Sequence, residues 1–159
     1  MFAVNSLSDV PNGCAGDISR ASYCIVEPAI FAKNEDVKVG RAAYYTSDGK
    51  VDYFTGGGDQ KVIGVIVRTY PAGSGYPEST NIPAGRTVGV LRRGWVLVKC
   101  ATGTPKQGNP VYMYTAAGSG YEIGDFAAEE VVGSTVKISG AVWGSGGVDA
   151  NKIAEVAIV

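Results

Sequence analysis

Cys14, Cys24 and Cys100 are the three thiols of this 159-residue chain, and the sequence contains no histidine. That absence excludes Ser-His-Asp, Cys-His and histidine-metal arrangements together. The thiols are odd in number and widely spaced. A zinc site wants Cys-x-x-Cys or histidines, and a disulfide framework wants pairs. They read as reduced cysteines of a chain made in a cytosol. Adjacent acids stand at Glu35-Asp36 and at Glu129-Glu130, the latter near Asp125. A glycosidase sets two acids across a cleft from separate elements, so these pairs read as solvated turns. Gly49-Lys50 does not complete the Gly-x4-Gly-Lys-[Ser/Thr] phosphate loop, and Gly118-Ser-Gly120 is no nucleophile elbow. Arg92-Arg93 suits phosphate or carboxylate, and reads more simply as a strand end or a partner contact. The residues therefore predict no enzyme, no metal and no cofactor.

The stretch that must organise the rest runs from Gly85 to Cys100, followed by a turn from Gly103 to Pro110 and a strand from Val111 to Thr115. Val88, Val90, Val96, Val98 and Cys100 share one parity; Thr87, Leu91, Arg93, Trp95, Leu97 and Lys99 share the other. A period of 2 in β-branched and aromatic residues predicts a strand. The even face is expected to line a core and the odd face to meet water, another sheet or another chain. Gly94, after the two arginines, marks a bend or bulge.

Around it the chain reads as short strands between turns. Strands are expected at Ser22 to Glu27, stopped by Pro28, at Val37 to Thr46 with a break at Gly40, and at Val51 to Thr55 after the hairpin signal Asp48-Gly49. Lys61 to Tyr70 is almost continuously apolar and should be buried on both faces, with Gly64 marking a bend or a close backbone approach. Pro71 to Gly85 reads as a long exposed loop carrying Tyr76. Tyr121 to Ile123 could form a short strand, and Phe126 to Val132 a helical turn. Thr135 to Trp143 and Lys152 to Val159 close the chain as strands, with Ala154, Val156 and Ile158 on one face. Residues 1–23 read as an irregular arm carrying Phe2, Val4, Leu7, Val10, Ile18 and Tyr23; it is either a frayed terminus or, given those apolar residues, an arm that docks on its own domain or on a neighbour. Residues 24–159 form the β domain.

Composition sets the class. There are 23 glycines, about twice the usual ~7%, scattered between short apolar runs, which predicts an all-β domain with many tight turns, a compact barrel or sandwich. A net charge of −1 offers no footprint for nucleic acid. No apolar run reaches the ~20 residues that span a bilayer, and Met1 to Ser6 lacks the pattern of a signal peptide. Charged residues make up only 18%, and nine tyrosines and two tryptophans are present, which favours a surface partly buried in an assembly.

The order of segments resembles the head decoration proteins of tailed bacteriophages, the structural cement proteins. The resembling pieces are Val39 to Ala43, Val62 to Ile66, Val90 to Val98, Gly108 to Tyr112, Gly140 to Trp143 and Ile153 to Val159. The pattern usually carries an acid where this chain has Asn109, at a position that looks like a turn. The resemblance implies a β-rich protein, commonly trimeric, made in the bacterial cytoplasm and seated on the outer surface of the virion. There it bridges subunits of the major capsid protein and stabilises the expanded shell, without catalysis, cofactor, nucleic acid or membrane. The family offers no catalytic residues to carry over. The interface residues expected from this sequence are Phe2, Leu7, Tyr76, Arg92, Arg93 and Trp143, with Trp143 partly exposed before assembly. Competing readings are a head-fibre or tail component and a carbohydrate-binding β module, in which exposed aromatics would stack on sugar.

Overall fold

The computed structural model describes residues 13–68 and 81–159. Among the described residues there are nine strands and no helix: β1 (Ile18–Ile30), β2 (Ala42–Tyr45), β3 (Val51–Tyr53), β4 (Gly64–Val67), β5 (Thr87–Thr102), β6 (Pro110–Tyr114), β7 (Phe126–Ala127), β8 (Thr135–Trp143) and β9 (Ile153–Ile158). The pairings β5–β7–β6–β8–β9 return to β5, so five strands close into a barrel. All pairings in that ring are antiparallel except β5–β7. Closure removes the unpaired edges that would otherwise template aggregation. The first half of β5 leaves the barrel and carries a second sheet, β3–β2–β4.

Two cores follow. Val96, Val98, Cys100, Val111, Met113, Phe126, Ile138, Trp143, Ala154 and Val156 fill the barrel, with side chains from all five strands. Phe31, Val37, Val51, Ile66, Val88 and Val90 form a separate cluster on the outer sheet. The expected single even face of β5 is thus corrected. Val88 and Val90 belong to the outer cluster, whereas Leu91 and then Val96, Val98 and Cys100 point into the barrel core. Parity changes between Leu91 and Val96 because β5 holds an extra residue there: one step on β1, from Ile25 to Val26, spans two on β5, from Arg93 to Leu91. Gly94 completes the bulge at φ 130°, and a Cβ there would stand 2.6 Å from Cys24 Sγ. A one-residue slip moves every later side chain to the other face, and here it lets one strand serve two cores.

Several expectations hold in detail. β8 has the expected bounds, β9 is paired on both edges, and all four residues of β4 are buried. At Gly64 a Cβ would collide with the Leu91 carbonyl oxygen, so the close approach is real. Others are overturned. β1 is not stopped by Pro28 but runs through it, opposite Gly89, and it includes Ile18 to Tyr23, which were assigned to the arm. Proline lacks an N–H, but an edge strand has one row of backbone groups without a ladder partner, so proline is tolerated there. The segment expected as a helical turn instead places Phe126 and Ala127 in β7, buried between β5 and β6. Tyr121 makes only an isolated bridge with Gly118, and its ring stacks on Tyr114 at 3.7 Å.

Trp143 also departs from expectation. It is 0% exposed, packed in the barrel, where its indole N–H has no hydrogen-bond partner among the described residues. Its role is volume rather than polarity. Trp143→Ala is expected to cost about 3–5 kcal/mol of stability, whereas Trp143→Phe costs much less because no N–H bond is lost. Urea unfolding of the two variants checks this; equal losses would count against it.

Candidate interface

A strand that pairs on one side only presents its other edge and both faces. β1 is such a strand: it pairs with β5 alone, and eleven of its thirteen residues are exposed. Its apolar members are consequently solvent-facing, with Tyr23 85%, Ile30 65% and Ile25 51% exposed. Exposed apolar side chains grouped in one place mark interaction surfaces more often than single ones do. Tyr23 is placed there at a cost. Five steps along β1, from Arg20 to Ile25, span only two along β5, and the arch that takes up the slack holds Tyr23 at φ 59°. A bulky residue in the left-handed region is unusual, and such strain clusters at functional positions.

The first half of β1 is fixed by polar contacts. The Arg20 guanidinium donates to both oxygens of Glu155, at 2.6 and 3.2 Å, and lies 5.1 Å from the Trp95 ring centre. Ser19 donates its hydroxyl to the same carboxylate. The hydrogen bond and charge of Glu155 raise the Arg20 pKa further above its ordinary value. Between this clamp and the end of β9 lies a trough of about 600 Å³, lined by Tyr23, Cys24, Ile25, Trp95 and Ile158, with Arg93 at its side. The position of Trp95 on the outer, mixed face agrees with its sequence parity.

The two expected interface arginines differ. Arg92 is engaged within the chain, 3.6 Å from Glu27, donating to the Tyr45 hydroxyl at 3.2 Å and lying 5.6 Å from that ring's centre. Arg93 is exposed and makes no side-chain ion pair among the described residues. Phe2, Leu7 and Tyr76 lie outside the described residues. Trp143, being in the barrel core, contributes no surface. Sequence reasoning placed a strand at Ser22 to Glu27 but missed its full extent and its exposure; the signal for an edge was the proline at position 28, within a strand that runs on past it.

A second cleft, of about 410 Å³, opens between Lys33, Lys38, Arg41 and Tyr53. Its cations are matched by acids: Lys33 with Asp52 at 3.2 Å, Lys38 with Glu122 at 3.5 Å, and Arg41 with Asp125 at 2.9 Å. Burial raises the Tyr53 pKa, so its phenol stays protonated. Asp125 is not the solvated turn acid expected but is 1% exposed. It holds Arg41, Lys99 at 3.0 Å, and the backbone N–H of Glu122 at 3.0 Å. It thereby ties the β6–β7 connection to β5. Removing one partner of a buried pair costs on the order of 3–5 kcal/mol, and Asp125→Ala is expected at that level in chemical denaturation, against under ~1 kcal/mol for the exposed Glu129→Ala.

All three thiols are free. Burial pushes the Cys100 pKa up to about 11, from an ordinary value near 9. The raised value means that the folded chain keeps its proton where the unfolded chain loses it. Stability from this group is therefore full below pH ~9 and is lost as pH rises towards ~11. Cys100→Ala should flatten that alkaline decline in unfolding midpoint measured from pH 8 to 11; an unchanged slope would refute the assignment.

Comparison with known proteins bears on this surface. The sequence profile of a family described as "Structural cement protein (E217 gp24/Pam3 gp6)" matches residues 5–159. A chain in the solved capsid of Myoviridae phage XM1 has a similar fold, with a TM-score of 0.72 at 18% identity, covering 99% of this chain and 98% of that one. No individually curated protein sequence matches.

Proposed function

The chain belongs to the structural cement protein family of phages, and from that membership we propose that it decorates the outer surface of a phage head through the face built by β1. Its role is structural, that of a capsid cement protein. In this reading it binds the major capsid protein, bridges neighbouring subunits and stabilises the expanded shell. It acts as a homotrimer made in the host cytoplasm, and engages neither nucleic acid nor membrane. Catalysis has no part in it.

The observation that carries the reading is the exposed apolar row of β1 beside the Tyr23–Trp95 trough. Exposed apolar side chains on a fixed strand, aromatic anchors and one free cation are the ingredients of a protein-binding patch. Fully burying Tyr23 or Ile25 against a partner contributes about 1.5–3 kcal/mol for each. That is modest for one copy, but a trimer on a repeating shell multiplies it by effective concentration. The clamp from Arg20 to Glu155 fixes the strand beforehand, which lowers the ordering cost of each contact.

The test adds purified protein to expanded, undecorated heads and measures occupancy against concentration. Ile25→Asp is expected to raise the half-occupancy concentration at least ~10-fold, since 1.4 kcal/mol is tenfold, while Lys106→Ala, far along the chain in an exposed turn, leaves it unchanged. Equal occupancy for wild type and Ile25→Asp would remove β1 from the interface. Light scattering of the free protein should give three chain masses.

A further inference from the structure

The two most exposed large apolar side chains among the described residues are Val132, at 90%, and Tyr23, at 85%. Tyr23 borders the trough beside β1. Val132 stands elsewhere, on the connection from β7 to β8. Turn corners ordinarily carry Gly, Pro, Asn, Asp or Ser, so a bare valine there is out of place in water. The turn is nevertheless rigid. Ser134 donates its backbone N–H to the Val131 carbonyl at 3.0 Å, Gly133 takes φ 80°, and the Thr135 hydroxyl accepts from the Val131 N–H at 2.8 Å. Residues 129–133 are all exposed. Glu129 lies back along the chain, its Cγ 3.5 Å from where a Cβ on Gly103 would stand. The Glu130 carboxylate makes no ion pair or hydrogen bond among the described residues.

The trough offers the complement of this surface. Its walls are apolar, and Arg93 at its side is exposed, with no side-chain ion pair among the described residues. Arg20, which covers Trp95, is not part of its lining, so the open space lies between Tyr23, Ile25 and Ile158. An apolar tip with an acid two residues before it thus matches an apolar trough with a cation beside it. One chain cannot make this contact with itself. Thr135, at the foot of the turn, lies opposite Tyr114 on β6, and Val142, paired with the trough residue Ala157, lies opposite Pro110. Four steps of β6 hold the two places about 13 Å apart, and barrel closure fixes that separation. We propose that the Glu130–Val132 turn of a second copy of this chain seats in the trough, with Val132 against Tyr23 and Ile158 and Glu130 paired to Arg93. The contact joins two different patches and is therefore head-to-tail, the kind that builds a ring when its rotation closes. It presupposes the trimer proposed above and is the joint of that trimer. Val26 and Ile30 of β1 lie outside the trough and remain for the shell.

The test uses the full-length free protein, without heads, and reads mass by light scattering against concentration. Arg93→Glu and Glu130→Arg, each alone, set like charges together and are expected to raise the half-dissociation concentration at least ~10-fold. The double variant Arg93→Glu, Glu130→Arg should return it to within about 3-fold of wild type. Val132→Asp is expected to leave single chains at concentrations where wild type is trimeric. Glu129→Arg, one residue away, is the control and should change the midpoint less than about 3-fold. All these side chains are exposed, so urea unfolding should match wild type, which separates a lost contact from a lost fold. A wild-type protein that is monomeric throughout would remove the trimer and the contact together. A trimer that Arg93→Glu and Val132→Asp leave intact would keep the trimer and overturn this contact alone, leaving the turn to another partner. A double variant that stays dissociated would overturn the pairing of Glu130 with Arg93.

Discussion

One irregularity in one strand sets the architecture. β5 is long enough to border two cores, yet a regular strand can bury only one of its faces in one of them. The extra residue at Arg92–Arg93, with Gly94 at φ 130° behind it, changes which face looks inward. Before the bulge, Val88 and Val90 complete the outer sheet's cluster; after it, Val96, Val98 and Cys100 line the barrel. The bulge is also held from the other side. Cys24 packs on Gly94, at a distance that leaves no room for a Cβ, so the arch in β1 and the bulge in β5 are two halves of one fitted contact. Any side chain at position 94 would displace Cys24 and with it Tyr23, so the geometry that lets one strand serve two cores also presents the exposed aromatic. Fold and surface depend on the same glycine.

Charges are used where apolar packing cannot reach. Asp125 sits at the junction of barrel and outer sheet and is compensated by two cations and a backbone N–H. Glu155 lies on β9 and secures β1 through Arg20 and Ser19. Both acids are nearly buried, while several of the cations they bind reach the surface. That arrangement keeps the long basic stems as cover over apolar surface. It also spares the chain the full penalty of burying both ions of a pair.

The legible part of the sequence was the part whose local pattern and burial agree. β9 pairs on both sides and places Ala154 and Val156 in the barrel core as its alternation predicts, and β8 keeps its expected bounds although its inward parity shifts between Ile138 and Ala141. The hairpin from β2 to β3 follows from Asp48-Gly49, where Gly49 adopts φ 76°. The failures share a cause, since each concerns a residue whose surroundings come from distant sequence. Phe126 and Ala127 have no strand pattern of their own and are extended because β5 and β6 flank them. Trp143 ends a strand beside a glycine, which suggests exposure, but barrel closure brings β6 and β9 over it. Asp125 looks like a turn acid until Arg41 and Lys99, both distant from it in sequence, converge on it. As for the interface, the two arginines at the bend were legible as a pair, but that Arg92 is engaged by Glu27 and Tyr45 while Arg93 is exposed was not. Nor was Tyr23, because its exposure is set by a register shift that periodicity does not record.

The remaining question for such a surface is why β1 is ordered before it meets a partner. A strand exposed on both faces gains little from apolar burial, and fixing each residue costs roughly 1–2 kcal/mol of backbone entropy. Here the order comes from three sources that need no partner: the ladder to β5, the Arg20–Glu155 clamp and the packing of Cys24 on Gly94. Its free edge is blunted at Pro28 and by the arch around Tyr23, which restrains indiscriminate pairing with other chains. The apolar side chains stay available while backbone pairing is discouraged. If β1 is the capsid-facing surface proposed above, that combination lets the chain remain free of indiscriminate pairing and still meet a repeating shell with its anchors already in place. Recognition by side chains on a fixed strand selects a matching surface, whereas recognition by a bare sheet edge would accept almost any extended segment.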